Sequence, residues 1–303
     1  MENRIIYLNG KYTGWQEATV HLLSHSLGRG SAIFEVLCFH AVDSGTVIFR
    51  LEDHIQRLFK TAELLDMILP LSQEEFCLAT AGTVNRNSLR QGVIKIICYY
   101  PQLSVEVYPP QNPLDVSIFA FDPVRDFNRD LSTGISTTAG ISKWRKLDPQ
   151  TVPIPAKAAA NYLNGMVARL DVQKRGFEQA ILLDTQGFIA EGATESVFLV
   201  KDGRLLTPGL GTVLPSITRR SILEAVEVLG IETRESRLAP DWLFEAEELF
   251  FSNSPMKVLP IRQIEDRVLK PVPGPVTQKI AGLVEEIVSG KDSRFKRWLY
   301  PVI

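Results

Sequence analysis

The sequence predicts a two-domain α/β chain. Three observations point there. The 303 residues, 45% hydrophobic and 22% charged, can bury a sizeable core and are enough for two domains. Runs with strand character alternate with runs at helical spacing along the chain. A charged stretch opening on Asp122-Pro123 interrupts two such periodic regions. The division expected is a small N-terminal α/β domain over residues 1–122, a linker over 123–133 and a larger C-terminal domain over 134–303.

The elements follow in order. Val47 to Arg50 is a short β-type run. It leads straight into Leu51, Ile55, Leu58, Phe59, Ala62 and Leu65, a helical spacing, so Arg50 sits at a strand-to-helix junction. Ser72 with Glu75 three residues on is a capping-box pattern that opens a second helix reaching to about Arg90. Val93 to Tyr100 and Val116 to Phe121 read as strands. Beyond the linker, Ala160 to Arg175 is helical and stops at Gly176. Ala180 to Leu183 and Ser196 to Val200 are strands punctuated by Gly187, Gly192 and an Asp202-Gly203 turn. A helix begins near Ser216 and ends at Gly230, and further strand and helix signals run over Glu248 to Ser252 and Pro275 to Ser289. The basic, aromatic tail from Lys291 to Ile303 reads as a surface-packed end. There is no internal repeat and no low-complexity segment.

Composition narrows the function. A formal net charge of −2, with Lys and Arg spread along the chain, gives no electrostatic reason to expect nucleic acid. Cys38, Cys77 and Cys98 are too widely spaced for a metal or redox pair and fit a reducing compartment. No signal-type leader opens the chain, and no run approaches the roughly 18 to 20 apolar residues that span a bilayer. A cytoplasmic protein acting on small molecules, without a membrane partner, is expected.

Three segments carry candidate chemistry. Lys157 lies in Val152-Pro153-Ile154-Pro155-Ala156-Lys157-Ala158-Ala159-Ala160-Asn161-Tyr162, where two prolines force extended backbone and small residues leave room beside the lysine stem for a flat ring. Taken alone, it also reads as a surface lysine before a helix. Glu191 ends a short strand before the turn Gly192-Ala193-Thr194, a place from which a carboxylate can reach a cleft; the plainer reading is a solvated turn acid. Leu214-Pro215-Ser216-Ile217-Thr218-Arg219-Arg220 is a helix start whose free N–H groups and hydroxyls suit an anion, or is only a well-capped helix.

Order and spacing distinguish these readings. Arg50 in Phe49-Arg50-Leu51-Glu52-Asp53-His54-Ile55-Gln56-Arg57-Leu58, the Lys157 and Tyr162 pair, Glu191-Gly192, and Leu214 to Arg220 together resemble the fold-type IV pyridoxal-phosphate enzymes, from Ile6 to Pro260. That group includes the branched-chain and D-amino-acid aminotransferases and aminodeoxychorismate lyase, and the likeness is closest to the branched-chain members. The resemblance implies a two-domain enzyme with its cofactor, pyridoxal 5′-phosphate, at the domain interface. It implies that Lys157 carries the cofactor as a Schiff base and moves the substrate α-proton, and that Tyr162 bonds the phenolic oxygen. Glu191 then pairs with the pyridine nitrogen and keeps it protonated. Arg50, Thr218, the N–H groups of Ile217 and Thr218, and Ser254 hold the phosphate, and Leu214 packs on a ring face. His54 matches no catalytic role and reads as a helix residue.

The substrate half departs from the pattern. Lys95 stands where an Arg for the substrate carboxylate is usual, Pro255 where a backbone N–H is usual, and Arg29 where a Tyr is usual. Arg29 is either a substitute carboxylate contact or an exposed loop residue. Phe34 matches an aromatic that lines the substrate pocket. Val36 lacks the Thr of the lyase branch, and Ile97 after Lys95-Ile96 breaks the Arg-x-His pair of the D-amino-acid branch. The resemblance thus implies an aminotransferase working between an amino acid, branched-chain or otherwise hydrophobic, and a 2-oxo acid, without a metal and as a homodimer. A lyase and a catalytically silent cofactor-binding homologue are the alternatives.

Overall fold

A computed structural model describes residues 1–111, 113–128 and 136–303. The chain forms two compact units: Met1–Leu131 with Ala156–Ala160 and Glu286–Ile303, and Ser132–Pro155 with Asn161–Glu285.

The first unit opens on a hairpin of β1 (Ile5–Leu8) and β2 (Lys11–Gly14). Its Asn9-Gly10 connection has positive φ at both residues, the geometry that suits the twist of a two-residue hairpin. After the short α1 (His25–Arg29) come β3 (Ile33–Val42) and β4 (Gly45–Phe49), then α2 (Leu51–Leu64) and α3 (Gln73–Arg86), then β5 (Gly92–Tyr99) and β6 (Asp115–Phe121). The strands lie in the order β4, β3, β5, β6, β1, β2, antiparallel throughout. Leu51, Ile55, Leu58 and Ala62 of α2 share one core with Ile33, Leu37 and Phe39 of β3, while Phe59 and Leu65 lie at its margin. The capping box at Ser72 and Glu75 is formed in both directions. The helix it opens stops at Arg86, short of the expected Arg90, because Asn87 turns to β1: its Oδ1 accepts from Ile5 N–H at 2.9 Å and its Nδ2 donates to Ile5 O at 2.7 Å. In β3, side chains alternate. Ile33, Glu35 and Leu37 are buried beneath α2, and Phe34 and Val36 lie on the other face.

The expected linker begins instead with a helix, α4 (Pro123–Phe127). Asp122 caps it and proline occupies its first turn, both helix-start signals. Arg4 holds Asp126 of that helix through a fork at 2.8 and 2.9 Å. Residues 129–133 of that linker lie outside the described residues.

The second unit is built on a mixed sheet. In chain order its elements are β7 (Thr137–Ile141), α5 (Tyr162–Gln173), β8 (Gln179–Leu183), β9 (Ile189–Gly192), β10 (Ser196–Lys201) and β11 (Arg204–Pro208). Then follow α6 (Ile217–Ala225), β12 (Thr233–Ser236), α7 (Trp242–Glu245), β13 (Glu248–Ser252), β14 (Leu259–Ile264), β15 (Arg267–Val268) and α8 (Pro275–Val288). The strand order is β12, β11, β10, β13, β14, β7, β8, β9, with β15 on β14. The parallel pairs β7–β8 and β11–β12 need long returns, and α5 and α6 lie within them. The Asp202-Gly203 turn closes the β10–β11 hairpin, again with positive φ at both residues. After Ala225 the α6 helix tightens into a 3-10 turn, and Gly230 ends it in the left-handed region.

The tail returns to the first unit. Its last strand, β16 (Leu299–Val302), pairs antiparallel with β4 and becomes that sheet's edge. Phe295 and Trp298, just before it, are buried. Residues 156–160 and 286–303, assigned from sequence to the C-terminal domain, fall in the first unit, and the tail expected to pack at the surface does so as an edge strand. Both placements have one cause. Each segment is placed by strand pairing with partners more than 100 residues away, and such pairing leaves no local periodicity to read.

Candidate active site

Lys157 is fixed by its backbone. Its N–H donates to Thr61 Oγ1 at 3.1 Å, its carbonyl accepts from Phe34 N–H at 3.2 Å, and Ala159 N–H donates to Ala32 O at 2.8 Å. Ala158 thus forms a single antiparallel bridge with Ile33 at the start of β3. The expected extended run through the two prolines is instead a turn at Ile154-Pro155, and the small residues after it let the chain approach β3 closely. Lys157 is only 8% exposed, and its Nζ stands 4.7 Å from the Phe34 ring centroid. The Lys95 ammonium is 5.7 Å from the same ring, and Lys95 pairs with Val36 across β3 and β5. The structure therefore brings Lys157, Phe34 and Lys95 together.

Arg29 is placed differently. Its Nη2 donates to Val105 O at 2.7 Å and its Nε to Glu106 O at 3.2 Å, so this fork holds the 105–106 backbone. Arg50 stands at the N-cap position of α2 without a side-chain capping bond, is 7% exposed and pairs with Asp53 at 3.1 Å.

Beneath Phe34, on the buried face of β3, lies a charged cluster that sequence reasoning missed. Glu35 accepts from Arg57 through both oxygens, at 2.7 and 2.6 Å, and His54 Nδ1 stands 2.8 Å from Glu35 Oε2. Burial alone would raise the Glu35 pKa, but the Arg57 guanidinium and then His54 outweigh it and hold it down to about 2. Burial also pulls His54 below the usual histidine range, so the ring is neutral and its Nδ1–H donates to the carboxylate. Thr61, which accepts from Lys157, is one turn beyond Arg57 on the same helix. Polar residues at 54, 57 and 61 on an otherwise apolar face were the available signal.

In the second unit the centre is Glu191. Its Oε1 meets Lys146 Nζ at 2.5 Å, and its Oε2 accepts from Leu214 N–H at 3.1 Å. Glu191 is 8% exposed. Lys146 is carried beside β8, its N–H donating to Leu183 O at 2.8 Å. No local pattern marks Lys146 as the partner of Glu191. The adjoining turn is shaped by Glu195, whose oxygens accept from Thr194 N–H at 2.9 Å and Thr194 Oγ1 at 2.6 Å. Burial pushes the Glu195 carboxyl above the usual range. A Cβ on Gly165 of α5 would lie 2.3 Å from Ala193 O, so only glycine lets that helix seat on the turn. Tyr162 begins the same helix.

Leu214 leads into α6, where Ser216 accepts from Arg219 N–H at 3.2 Å and Ile217 and Thr218 are each 4% exposed. The first N–H groups of such a helix lie outside its own ladder and favour an anion. Ser254 and Pro255 sit in the turn between β13 and β14, which Asn253 ties by accepting from Met256 N–H at 2.9 Å. Nearby in sequence, Ser252 Oγ is buried without a hydrogen-bond partner among the described residues.

Each unit carries donors that suit a phosphorylated pyridine aldehyde: the first an amine on a fixed backbone and a guanidinium, the second a carboxylate suited to a ring nitrogen and a helix start suited to a phosphate. The comparisons agree with this chemistry. Residues 32–264 match the family model described as amino-transferase class IV. A branched-chain-amino-acid aminotransferase of Escherichia coli (strain K12) is 33% identical over 298 residues, covering 97% of this chain and 96% of that protein. The crystal structure of a branched-chain aminotransferase from Thermoproteus uzoniensis with norvaline superposes with a TM-score of 0.94 at 31% identity, covering 99% of each chain. That of a branched-chain amino acid aminotransferase from Thermobaculum terrenum, in its PLP-bound holo form, gives 0.89 at 30% identity, covering 100% of each.

Proposed function

The chain belongs to the class IV amino-transferase family, and from that premise we propose that it moves an amino group between a hydrophobic amino acid and a 2-oxo acid, with pyridoxal 5′-phosphate carried on Lys157. The observation that carries this reading is the seat of Lys157: both backbone polar groups are hydrogen-bonded and the amine is held beside an aromatic ring. A reacting amine on a fixed backbone is pre-oriented, which is where much of the rate in such chemistry originates.

When bound, the cofactor supplies an electron-accepting ring and an aldehyde that takes up the amino group. The residues then divide the work. Lys157 Nζ would take and move the proton of the substrate α-carbon. Glu191 would hold a proton on the pyridine nitrogen, and the Lys146 ammonium at 2.5 Å fixes where that carboxylate stands. Tyr162 donates to the phenolic oxygen, and Leu214 covers a ring face. Arg50, Ser254, Thr218 and the N–H groups of Ile217 and Thr218 hold the phosphate. Phe34 offers an apolar wall to the substrate side chain, and Lys95 a cation to its carboxylate. Arg29 supports the 105–106 loop rather than the substrate.

A second copy of this chain is the partner. Loops 20–24 and 103–108 pair through a bridge between Ser24 and Leu103, and Leu22, Leu103, Val105, Val107 and Tyr108 are 62–81% exposed. A cluster of large exposed apolar residues marks an association surface. Among the described residues no helix is long and apolar enough to cross a membrane, and a cytoplasmic setting fits the three reduced, buried cysteines.

The test is a screen of L- and D-amino acids against the cofactor-loaded protein, following conversion of the bound cofactor to pyridoxamine phosphate with one equivalent of 2-oxo acid released. Conversion by leucine, valine or norvaline is expected. Cofactor binding with no conversion by any amino acid would favour the silent homologue, and pyruvate release from aminodeoxychorismate without an acceptor would favour the lyase.

A further inference from the structure

The C-terminal tail passes beside Arg50 before it pairs with β4. Arg50 occupies the left-handed region, φ 55 and ψ 35, which a long side chain adopts only when its surroundings impose it. Trp298 supplies those surroundings twice. Its carbonyl accepts from Arg50 N–H at 2.6 Å, and its ring lies 4.0 Å from the guanidinium carbon. Trp298 is itself 3% exposed, held by Phe295 and Phe49 with ring centroids 4.5 and 6.0 Å away. The pairing of Leu299 with Phe49 fixes the register that sets Trp298 next to Arg50.

A guanidinium stacked on an aromatic face loses freedom to swing, and the ring sets the plane in which its N–H donors point. Asp53 takes one of those donors at 3.1 Å. We propose that Trp298 is a positioning residue for Arg50, so that the C-terminal tail sets how tightly the phosphate monoester of the cofactor is held. The proposal rests on the reading of Arg50 as a phosphate ligand. A packing role alone would affect every ligand of the protein equally. A role through Arg50 discriminates between ligands with and without the phosphate.

The experiment titrates the full-length apoprotein with pyridoxal phosphate and with pyridoxal, which lacks the phosphate, and reads the visible absorption. Trp298→Leu is expected to lower the preference for the phosphorylated ligand about tenfold, equivalent to about 1.4 kcal/mol, with pyridoxal affinity little changed. Arg50→Gln should lower it further, and the double variant should go no lower than Arg50→Gln alone, because both act on one group. Trp298→Phe keeps an aromatic face and a folded tail, and should lie between Trp298→Leu and the parent; it provides the reading if the leucine variant does not fold. Equal losses for both ligands, additive effects in the double variant, or an unchanged preference in Trp298→Phe and Trp298→Leu would overturn the proposal. If Arg50→Gln leaves the preference intact, the assignment of Arg50 to the phosphate falls, and the role of Trp298 with it. A parent protein that binds neither ligand contradicts the proposed function itself.

Discussion

Glu35 is a carboxylate with no exposed surface, tied to a guanidinium and an imidazole within 2.8 Å. Such a buried pair adds little over a well-packed apolar substitute, but removing one partner strands the other and costs about 3–5 kcal/mol. Glu35→Gln should therefore destabilise the protein by that order near neutral pH, because Arg57 and His54 remain. The pH dependence has a definite sign. The folded-state pKa is depressed from 4.5 to about 2, so the stabilisation is complete above 4.5 and is lost as pH falls through that window. Denaturant unfolding followed from pH 7 to 2.5 should show the gap between parent and Glu35→Gln narrowing below pH 4.5. A gap independent of pH would mean that the Glu35 charge contributes nothing. The same scale shows where reading the sequence stopped. Lys157, Glu191 and Arg50 stood out because each lies in a recognisable segment. Glu35 and Lys146 did not, because their partners Arg57 and Glu191 are 22 and 45 positions away. Arg29, open to two readings in sequence, donates to backbone carbonyls of the 105–106 loop.

Among the elements, those with strong local periodicity or chemistry were legible. The α2 helix, the capping box of α3, the β5 and β6 strands and the Asp202-Gly203 hairpin all follow from short-range rules. The strand β3 was not read, although it carries Phe34 and Glu35 on opposite faces, because one of its buried positions is a charge and the alternation is broken. The docking of α5 depends on a single glycine. Propensity alone says that Gly165→Ala stabilises a helix by about 0.8–1 kcal/mol. The contact with Ala193 O at 2.3 Å says the reverse, by about 1–3 kcal/mol, since backbone must shift to admit the methyl group. Thermal unfolding of Gly165→Ala is expected to show a lower Tm. It should also weaken cofactor binding, because the turn that follows Glu191 moves with Ala193. A raised Tm would show that α5 is not seated as described.

For the whole molecule, the mixed α/β class and the two-unit division were accessible from composition and alternation, whereas the membership of each unit was not. Segments 156–160 and 286–303 join the first unit by pairing with β3 and β4, and only three-dimensional structure shows this. The consequence is functional. Lys157 lies within a stretch of sequence that otherwise builds the second unit, yet Thr61 and Phe34 of the first unit hold its backbone. The central claim is that this lysine, so held, is the one that carries the cofactor. Borohydride reduction of the loaded protein followed by peptide mapping tests it most directly. The pyridoxyl group is expected on Lys157 alone, with no label and no aldimine absorption band in Lys157→Ala; a label on Lys95, Lys146 or any other lysine would contradict the account.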